Sequence, residues 1–327
     1  MCNKRTLIIV PVLNDERSLA ILVRELVREL AGRTAISLLV VDDGSIPNID
    51  LVHVPLVEGR LITLSRNLGH QKAIAIGLAY AVANNLADVF VVMDVDGEDR
   101  PGDVIRLLAS LEREPDFSVV VAQRIRRSER LAFRTFYQIY RLLFFLLTGY
   151  RISFGNFSAI PVAAARRLVA MNELWVSFPA TLIRSRLPLI QLPIKRGKRY
   201  NDQSRMNFIS LITLGLGAVS TFIESALTRI IFAASGLVAV CVFASITAIV
   251  LKLIGMATPG WMTTVIGVSL ILMIAVAILS FVGLALTILA GSQTVPAPIA
   301  IYSSFIARTS MFGISQTSTA APSSVGE

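Results

Sequence analysis

The hydrophobic pattern divides the chain in two. Up to about residue 205, short apolar runs alternate with amphipathic stretches. Residues 6–10 form an apolar run rich in β-branched side chains that meets Pro11, which predicts a buried strand. Leu19, Leu22, Val23, Leu26, Val27 and Leu30 then recur at spacings of three and four. That spacing predicts a helix, with Asn14 or Asp15 placed to cap it. Residues 37–41, 61–65, 89–93 and 118–122 predict further strands, and 72–84 and 102–113 predict helices. Strands alternating with helices predict an α/β fold, a mostly parallel sheet with helices on both faces. In such sheets ligands bind beyond the carboxyl ends of the strands.

The second part reads as membrane-like. Residues 230–251 carry no charge and are bracketed by Arg229 and Lys252. As a helix they reach about 33 Å, enough for about 30 Å of hydrocarbon. Residues 262–290 are again uncharged, and Ala257-Thr258-Pro259-Gly260 between the two stretches reads as a turn. The expectation is a two-helix transmembrane hairpin within residues 229–291. Residues 133–150 mix Arg134 and Arg141 with Phe136, Tyr137, Tyr140 and a leucine cluster, which predicts a helix lying in the membrane interface. Residues 206–222, within a juxtamembrane segment 206–228, suit either an interfacial helix or a core helix. The tail, 292–327, is rich in Ser, Thr, Ala and Pro, which predicts partial disorder.

Composition sharpens this division. Charged residues make up 16% of the 327 residues, against about 25% in soluble domains. After Arg205 the only charges are Glu224, Arg229, Lys252, Arg308 and Glu327. A disordered chain is excluded and a fully soluble protein is disfavoured, and the apolar region is too short for a polytopic transporter. The formal net charge of +9 points to anionic lipid head groups or phosphate ligands. No nucleic-acid-binding pattern accompanies it, so no nucleic-acid partner is expected. The excess of Lys and Arg in the N-terminal part predicts a multi-pass protein of the cytoplasmic membrane, with that domain and the tail facing the cytoplasm. Cys2 and Cys241 indicate neither a disulfide framework nor a metal site. The apolar run after Lys4-Arg5 breaks at Pro11 and turns polar at Asn14, too early for a signal peptide.

Candidate chemistry lies at the predicted strand ends. Asn14-Asp15-Glu16 follows the first strand, Asp42-Asp43 the second and Asp94-Val95-Asp96-Gly97-Glu98-Asp99 the fourth. Four carboxylates in six residues repel one another unless a cation sits among them. A hard ion, Mg²⁺ or Mn²⁺, takes carboxylate oxygens and keeps places for phosphate oxygens. No Gly-x-Gly-x-x-Gly and no Walker sequence is present, which disfavours a dinucleotide oxidoreductase or a P-loop enzyme. His53 and His70 have no second ligand at metal spacing. Arg124, Arg126 and Arg127 follow the fifth strand, and Arg199 and Arg205 precede the apolar region. Guanidinium groups meet phosphate in a fork and keep their charge.

Four motifs carry a resemblance: Val10-Pro11-Val12-Leu13-Asn14-Asp15-Glu16, Val41-Asp42-Asp43-Gly44-Ser45, Ser65-Arg66-Asn67-Leu68-Gly69-His70-Gln71 and Met93-Asp94-Val95-Asp96-Gly97-Glu98-Asp99. In order and spacing they resemble family 2 glycosyltransferases. More narrowly they resemble the polyprenyl-phosphate group, that of dolichol-phosphate mannose synthase and bactoprenol glucosyltransferase. Arg199-Tyr200-x-x-x-Ser204-Arg205 is similar to that group's Arg-Tyr…Ser-Lys motif. Glu98 stands where the group has Gln, and Ser153-Phe154-Gly155-Asn156-Phe157 where it has Asp-x-Gly-Asp-Phe.

The resemblance implies a GT-A fold and inverting transfer of one sugar, from a UDP-sugar by preference, to a polyprenyl phosphate. It implies Mg²⁺ or Mn²⁺ on Asp94, Asp96 and Glu98, and a homo-oligomer in a lipid membrane. Nucleotide contacts fall on Pro11, Leu13, Asn14, Glu16, Asp42, Asp43 and Asp94. The acceptor phosphate falls to Arg124, Arg127, Arg199, Ser204 and Arg205, with Asp94, Asp96, Arg124, Arg199 and Arg205 expected to be catalytic. Two other readings stay open. A processive polysaccharide synthase of the same fold needs a Gln-x-x-Arg-Trp motif, and Trp175 and Trp261 lack that context. A membrane-anchored binding protein is the other, against which the intact Asp94 and Asp96 speak.

Overall fold

The computed structural model describes residues 4–30, 36–49, 59–124, 131–201, 215–256, 260–292 and 295–313. The chain forms two units. One comprises Met1–Arg130, Ile152–Thr221 and Pro296–Glu327, the other Leu131–Arg151 and Phe222–Val295.

In the first unit the expected alternation is present: β1 (Thr6–Val12), α1 (Glu16–Glu29), β2 (Ile36–Asp42), β3 (Gly59–Leu64), α2 (His70–Ala83), β4 (Val89–Val92), α3 (Pro101–Leu111) and β5 (Val119–Arg124). After α4 (Leu131–Thr148), which belongs to the second unit, come β6 (Phe154–Pro161), α5 (Val162–Val169), α6 (Phe178–Arg184) and β7 (Leu189–Ile194). The sheet runs β7-β5-β6-β4-β1-β2-β3-β8, where β8 is Ile306–Phe312 near the C-terminal end. β1 through β4 are mutually parallel, whereas β6 is antiparallel to β4 and β5, and β8 is antiparallel to β3. The sheet is therefore mostly parallel, as the pattern predicts. Register fixes the site: Val12 lies beside Asp42, and Ile9 beside Val92, so β1, β2 and β4 end along one edge.

Two apolar layers flank the sheet. Leu19, Leu22, Val23 and Leu26 of α1 pack with Val104 and Leu107 of α3 on one face. On the other, α2 is buried nearly all round, with Ala73, Ile74, Ala75, Ile76, Leu78 and Ala79 fully inaccessible. A helix apolar on every side needs cover on its outer face. Part of that cover is C-terminal: α9 (Pro298–Ile301) and the residues after it put Ile299, Tyr302 and Phe305 against the same cluster. Tyr302 meets Tyr80 edge-on at 6.3 Å, and Phe305 meets Trp175 at 5.7 Å. The Trp175 indole N–H donates to the Pro296 carbonyl (2.9 Å). Within the tail of residues 292–327, residues 298–312 fill an apolar face and pair with the β3 edge.

The second unit holds α4, α7 (Ile223–Leu253) and α8 (Trp261–Ser292). α7 and α8 are long and apolar enough to cross a membrane, and leave Phe232, Phe243, Ile271, Leu279 and Phe281 exposed. Phe222 contacts Phe144 and Tyr150 of the α4 region at 6.0 and 4.8 Å. α4 presents Leu142, Leu143 and Leu146 outward.

Candidate active site

The three polar strand ends of the sequence meet along the common edge of β1, β2 and β4. Beyond β1, Asn14 takes a left-handed conformation (φ +49°), which asparagine tolerates better than most residues. Its N–H donates to Ser45 Oγ (2.8 Å), and its Oδ1 accepts the Ile46 N–H (2.8 Å), binding the ends of β1 and β2 together. Pro11 is buried within β1, Leu13 is half-buried, and Glu16 is exposed at the start of α1. Asp15 is the cap of α1, accepting from the Ser18 N–H.

Asp42 and Asp43 are both buried but differ in role. Asp42 Oδ1 accepts the Ser45 N–H (2.9 Å), while its inaccessible Oδ2 has no hydrogen-bond partner among the described residues. Asp43 accepts the Leu68 N–H on one oxygen (2.8 Å) and the Gly69 N–H on the other (2.9 Å). Burial pushes its carboxyl above the ordinary value, against the pull of these bonds and of His70. Asp43 thus organises the Arg66–Gly69 loop. Gly44 (φ +78°) lets that loop approach: a Cβ there would lie 2.8 Å from the Asn67 nitrogen.

At the end of β4, Asp94 and Asp96 are partly exposed, by 23% and 33% at the side chain. Burial raises the Asp96 carboxyl, and so do the charges of Asp94 and Glu98, while Arg199 opposes them. Carboxylate oxygens are hard donors and suit a hard divalent cation. Among the described residues no group of three carboxylates or imidazoles is gathered to hold an ion alone. An ion on Asp94 and Asp96 therefore needs further oxygens from a ligand or water. Glu98, expected as a third donor, is the shared counter-ion of Arg196 and Arg199.

Of the expected phosphate-binding residues, Arg199 reaches the acidic group, with Nε 2.9 Å from Glu98 Oε1 and 3.3 Å from Asp96 Oδ2. Arg124 ends β5. Arg127, Ser204 and Arg205 lie outside the described residues.

Three polar residues join the site without having been assigned to it from sequence. His70 Nε2 lies 3.2 Å from Asp94 Oδ1. Partial burial would lower the imidazole's affinity for a proton, but Asp94, Asp43 and Asp96 outweigh it and raise it. Asn156 Nδ2 lies 2.9 Å from the same imidazole nitrogen and donates to Asp94 Oδ1 (3.3 Å). Gln71 Nε2 donates to Asn156 Oδ1 (3.3 Å), while the Phe178 N–H donates to Gln71 Oε1 (2.7 Å). That backbone amide fixes the Gln71 carboxamide and, through it, the Asn156 carboxamide. The signal for His70 and Gln71 was the Arg-Asn-x-Gly-His-Gln run. Asn156 sits on β6, which no periodicity announced.

Residues 7–175 match the sequence model of glycosyl transferase family 2. Among solved structures, the chain is similar to glucosyl-3-phosphoglycerate synthase from Mycobacterium tuberculosis in complex with Mn²⁺, UDP-glucose and phosphoglyceric acid. The identity is 16% over 68% of this chain and 80% of that one, with a TM-score of 0.49. The complex of that enzyme with Mg²⁺ and UDP matches at 14% identity over 68% and 79%, with a TM-score of 0.44. Mannosyl-3-phosphoglycerate synthase from Rubrobacter xylanophilus matches at 13% identity over 67% and 72%, with a TM-score of 0.45. With more than half its length matched by the family model, and its acidic strand ends gathered at one sheet edge, the chain belongs to glycosyl transferase family 2.

Proposed function

We propose that the protein transfers a single sugar from a nucleotide sugar, UDP-linked by preference, to the phosphate of a membrane polyprenyl phosphate. The observation that carries the lipid acceptor is the return of the chain. β8 pairs with β3 in the sheet that holds β1 to β7, and α7 and α8 lie between them in sequence. Segments on both sides of α7 and α8 thus belong to one unit, so any crossing between them is paired with a second. By the same reasoning α4, with sheet strands before and after it, lies along one leaflet and does not cross. The excess of Lys and Arg puts the sheet on the cytoplasmic side. Such an enzyme is tethered on both flanks to the surface where a lipid phosphate is presented.

Asp42 and Asn14, at the ends of β2 and β1, serve the base and ribose. Asp94 and Asp96 would hold Mg²⁺ or Mn²⁺, which when bound neutralises the departing diphosphate. Arg199, with Arg124, Arg127, Ser204 and Arg205, receives the acceptor phosphate. An acceptor phosphate oxygen attacks the anomeric carbon, the bond from that carbon to the diphosphate oxygen breaks, and the nucleoside diphosphate leaves with the electron pair. Configuration is inverted. A phosphate monoester has its second pKa near 6, so the attacking oxygen is already ionised at neutral pH and no protein base is required. Asn156, a carboxamide beside Asp94, agrees with that.

The test is incubation of membranes containing the full chain with labelled nucleotide sugars and polyprenyl phosphate. A labelled lipid extractable into organic solvent is expected, and it should vanish in Asp96→Ala without loss of folded protein. Label appearing only in a polymer, or only on a water-soluble acceptor such as phosphoglycerate, would overturn the reading.

A further inference from the structure

The loop after β7 is fastened to the loop after β4. The Gly197 N–H donates to the Glu98 carbonyl (2.8 Å), and the Tyr200 N–H to the Asp96 carbonyl (2.9 Å). The Tyr200 phenol donates to Glu25 Oε2 on α1 (2.7 Å). Burial and the Glu25 carboxylate raise that phenol's pKa, so it remains a donor throughout the neutral range. Within this clasp the charges pair unevenly. Glu98, only 12% exposed at its side chain, meets Arg199 with one oxygen and Arg196 with the other. Arg199 also reaches Asp96, so one guanidinium bridges two carboxylates that differ in what else they can bind. Glu98 is saturated by arginines, whereas Asp96 stands beside Asp94 at the strand end.

Under the reading above, a divalent ion is to be received by Asp94 and Asp96. In the described arrangement Asp96 already carries a cation, and that cation is covalently tethered. A divalent ion and a guanidinium on one carboxylate oxygen repel each other, so an ion on Asp96 Oδ2 competes with Arg199 for that oxygen.

We propose that Arg199 is a tethered counter-ion of Asp96 which a divalent cation displaces, and that Glu98 retains the displaced guanidinium at the edge of the site. This inference rests on the metal reading of Asp94 and Asp96. Arg199 neutralises the acidic strand end while it is empty. It becomes available to the acceptor phosphate only when the ion has taken its place. Metal, and the nucleotide diphosphate it brings, therefore precede the acceptor. Glu98 is a positioning residue acting through Arg199, which gives a role to a carboxylate that meets two arginines.

The experiment is a titration of the purified full chain in detergent with Mn²⁺, reading free ion by its paramagnetic resonance signal, with no sugar nucleotide and no acceptor. Coupling between two ligands of one site commonly amounts to 5-fold or more, so Arg199→Gln should bind Mn²⁺ at least about fivefold tighter than the wild type. Lys198→Gln removes the same charge from the same loop at an exposed position, and should change the affinity by less than about twofold if contact with Asp96 rather than net charge is the cause. Thermal unfolding of each variant shows that it is folded. Equal Mn²⁺ affinity in the wild type and Arg199→Gln, or an equal gain in Lys198→Gln, overturns the counter-ion role and leaves the metal reading standing. Absence of Mn²⁺ binding in all three proteins, in a repeat titration with UDP present as well as without it, overturns the metal reading, and this inference with it.

Discussion

Replacing Asp43 by asparagine tests whether this buried carboxylate organises the Arg66–Gly69 loop. Asp43 is 3% exposed and receives two backbone N–H groups, from Leu68 at 2.8 Å and Gly69 at 2.9 Å. Asparagine matches its shape but offers one acceptor, and turns an NH₂ group toward the second N–H. One hydrogen bond to a charged group is worth about 1.5–3 kcal/mol, and a buried donor left unmade costs about 1–3 kcal/mol. Against this, the variant no longer buries a charge, the same burial that raises the Asp43 carboxyl in the wild type. The net expectation is a loss of about 2 kcal/mol. In a domain of this size that lowers the unfolding midpoint by about 4–8 °C. The assay is thermal unfolding of the full chain in detergent, followed by circular dichroism. Asp116→Asn is the control: its carboxylate is 82% exposed in a 3.5 Å pair with Lys4, a geometry worth at most about 1 kcal/mol. If Asp43→Asn unfolds within about 1 °C of the wild type, Asp43 does not hold the loop, and its carboxylate is free to serve a ligand instead.

Three further outcomes follow from the packing. A chain ending at Val295 loses β8 and the cover of α2, and should unfold at least about 10 °C below the full chain. Trp175→Phe keeps the ring beside Phe305 but drops the bond to Pro296, and should cost only about 1 kcal/mol. Gly97→Ala should destabilise by about 1–2 kcal/mol: its φ is +88°, and a Cβ would lie 2.9 Å from the Tyr200 ring. Adding Tyr200→Ala should recover part of the Gly97→Ala loss in thermal unfolding, leaving only the backbone strain.

The first half of the fold was legible because its strands are buried on both faces. Such strands read as continuous apolar runs, as in Thr6–Val12 and Val89–Val92, and α1 repeats its leucines and valines at helical spacing. α2 was legible by composition alone, since a helix buried all round has no polar face to give it a period. Legibility failed where pairing decides structure. β6 carries Asn156 and Ser158 among its core residues, and β7 is only partly buried, so neither has a clean two-residue alternation. β8, Ile306–Phe312, spells a short, half-polar edge strand, and only the free edge of β3, almost 250 residues earlier, makes it one.

The site divides along the same line. Asp42, Asp43, Asp94 and Asp96 could be read from sequence because each follows an apolar strand directly, and parallel strands in register deliver their ends to one edge. What sequence could not distribute among them was function. Asp42 and Asp43 are neighbours in the chain, yet one has an oxygen with no partner among the described residues and the other places both on backbone amides of a loop 25 residues away. Asp96 and Glu98 look equivalent as donors two residues apart, yet the loop after β7 sets Arg196 and Arg199 on Glu98 and Arg199 on Asp96. Both distinctions arise from tertiary contacts made by Leu68, Gly69 and the residue 195–200 loop. A cluster of carboxylates thus locates a site from sequence, but the cations and amides that fold back onto it decide which carboxylates remain for the ligand.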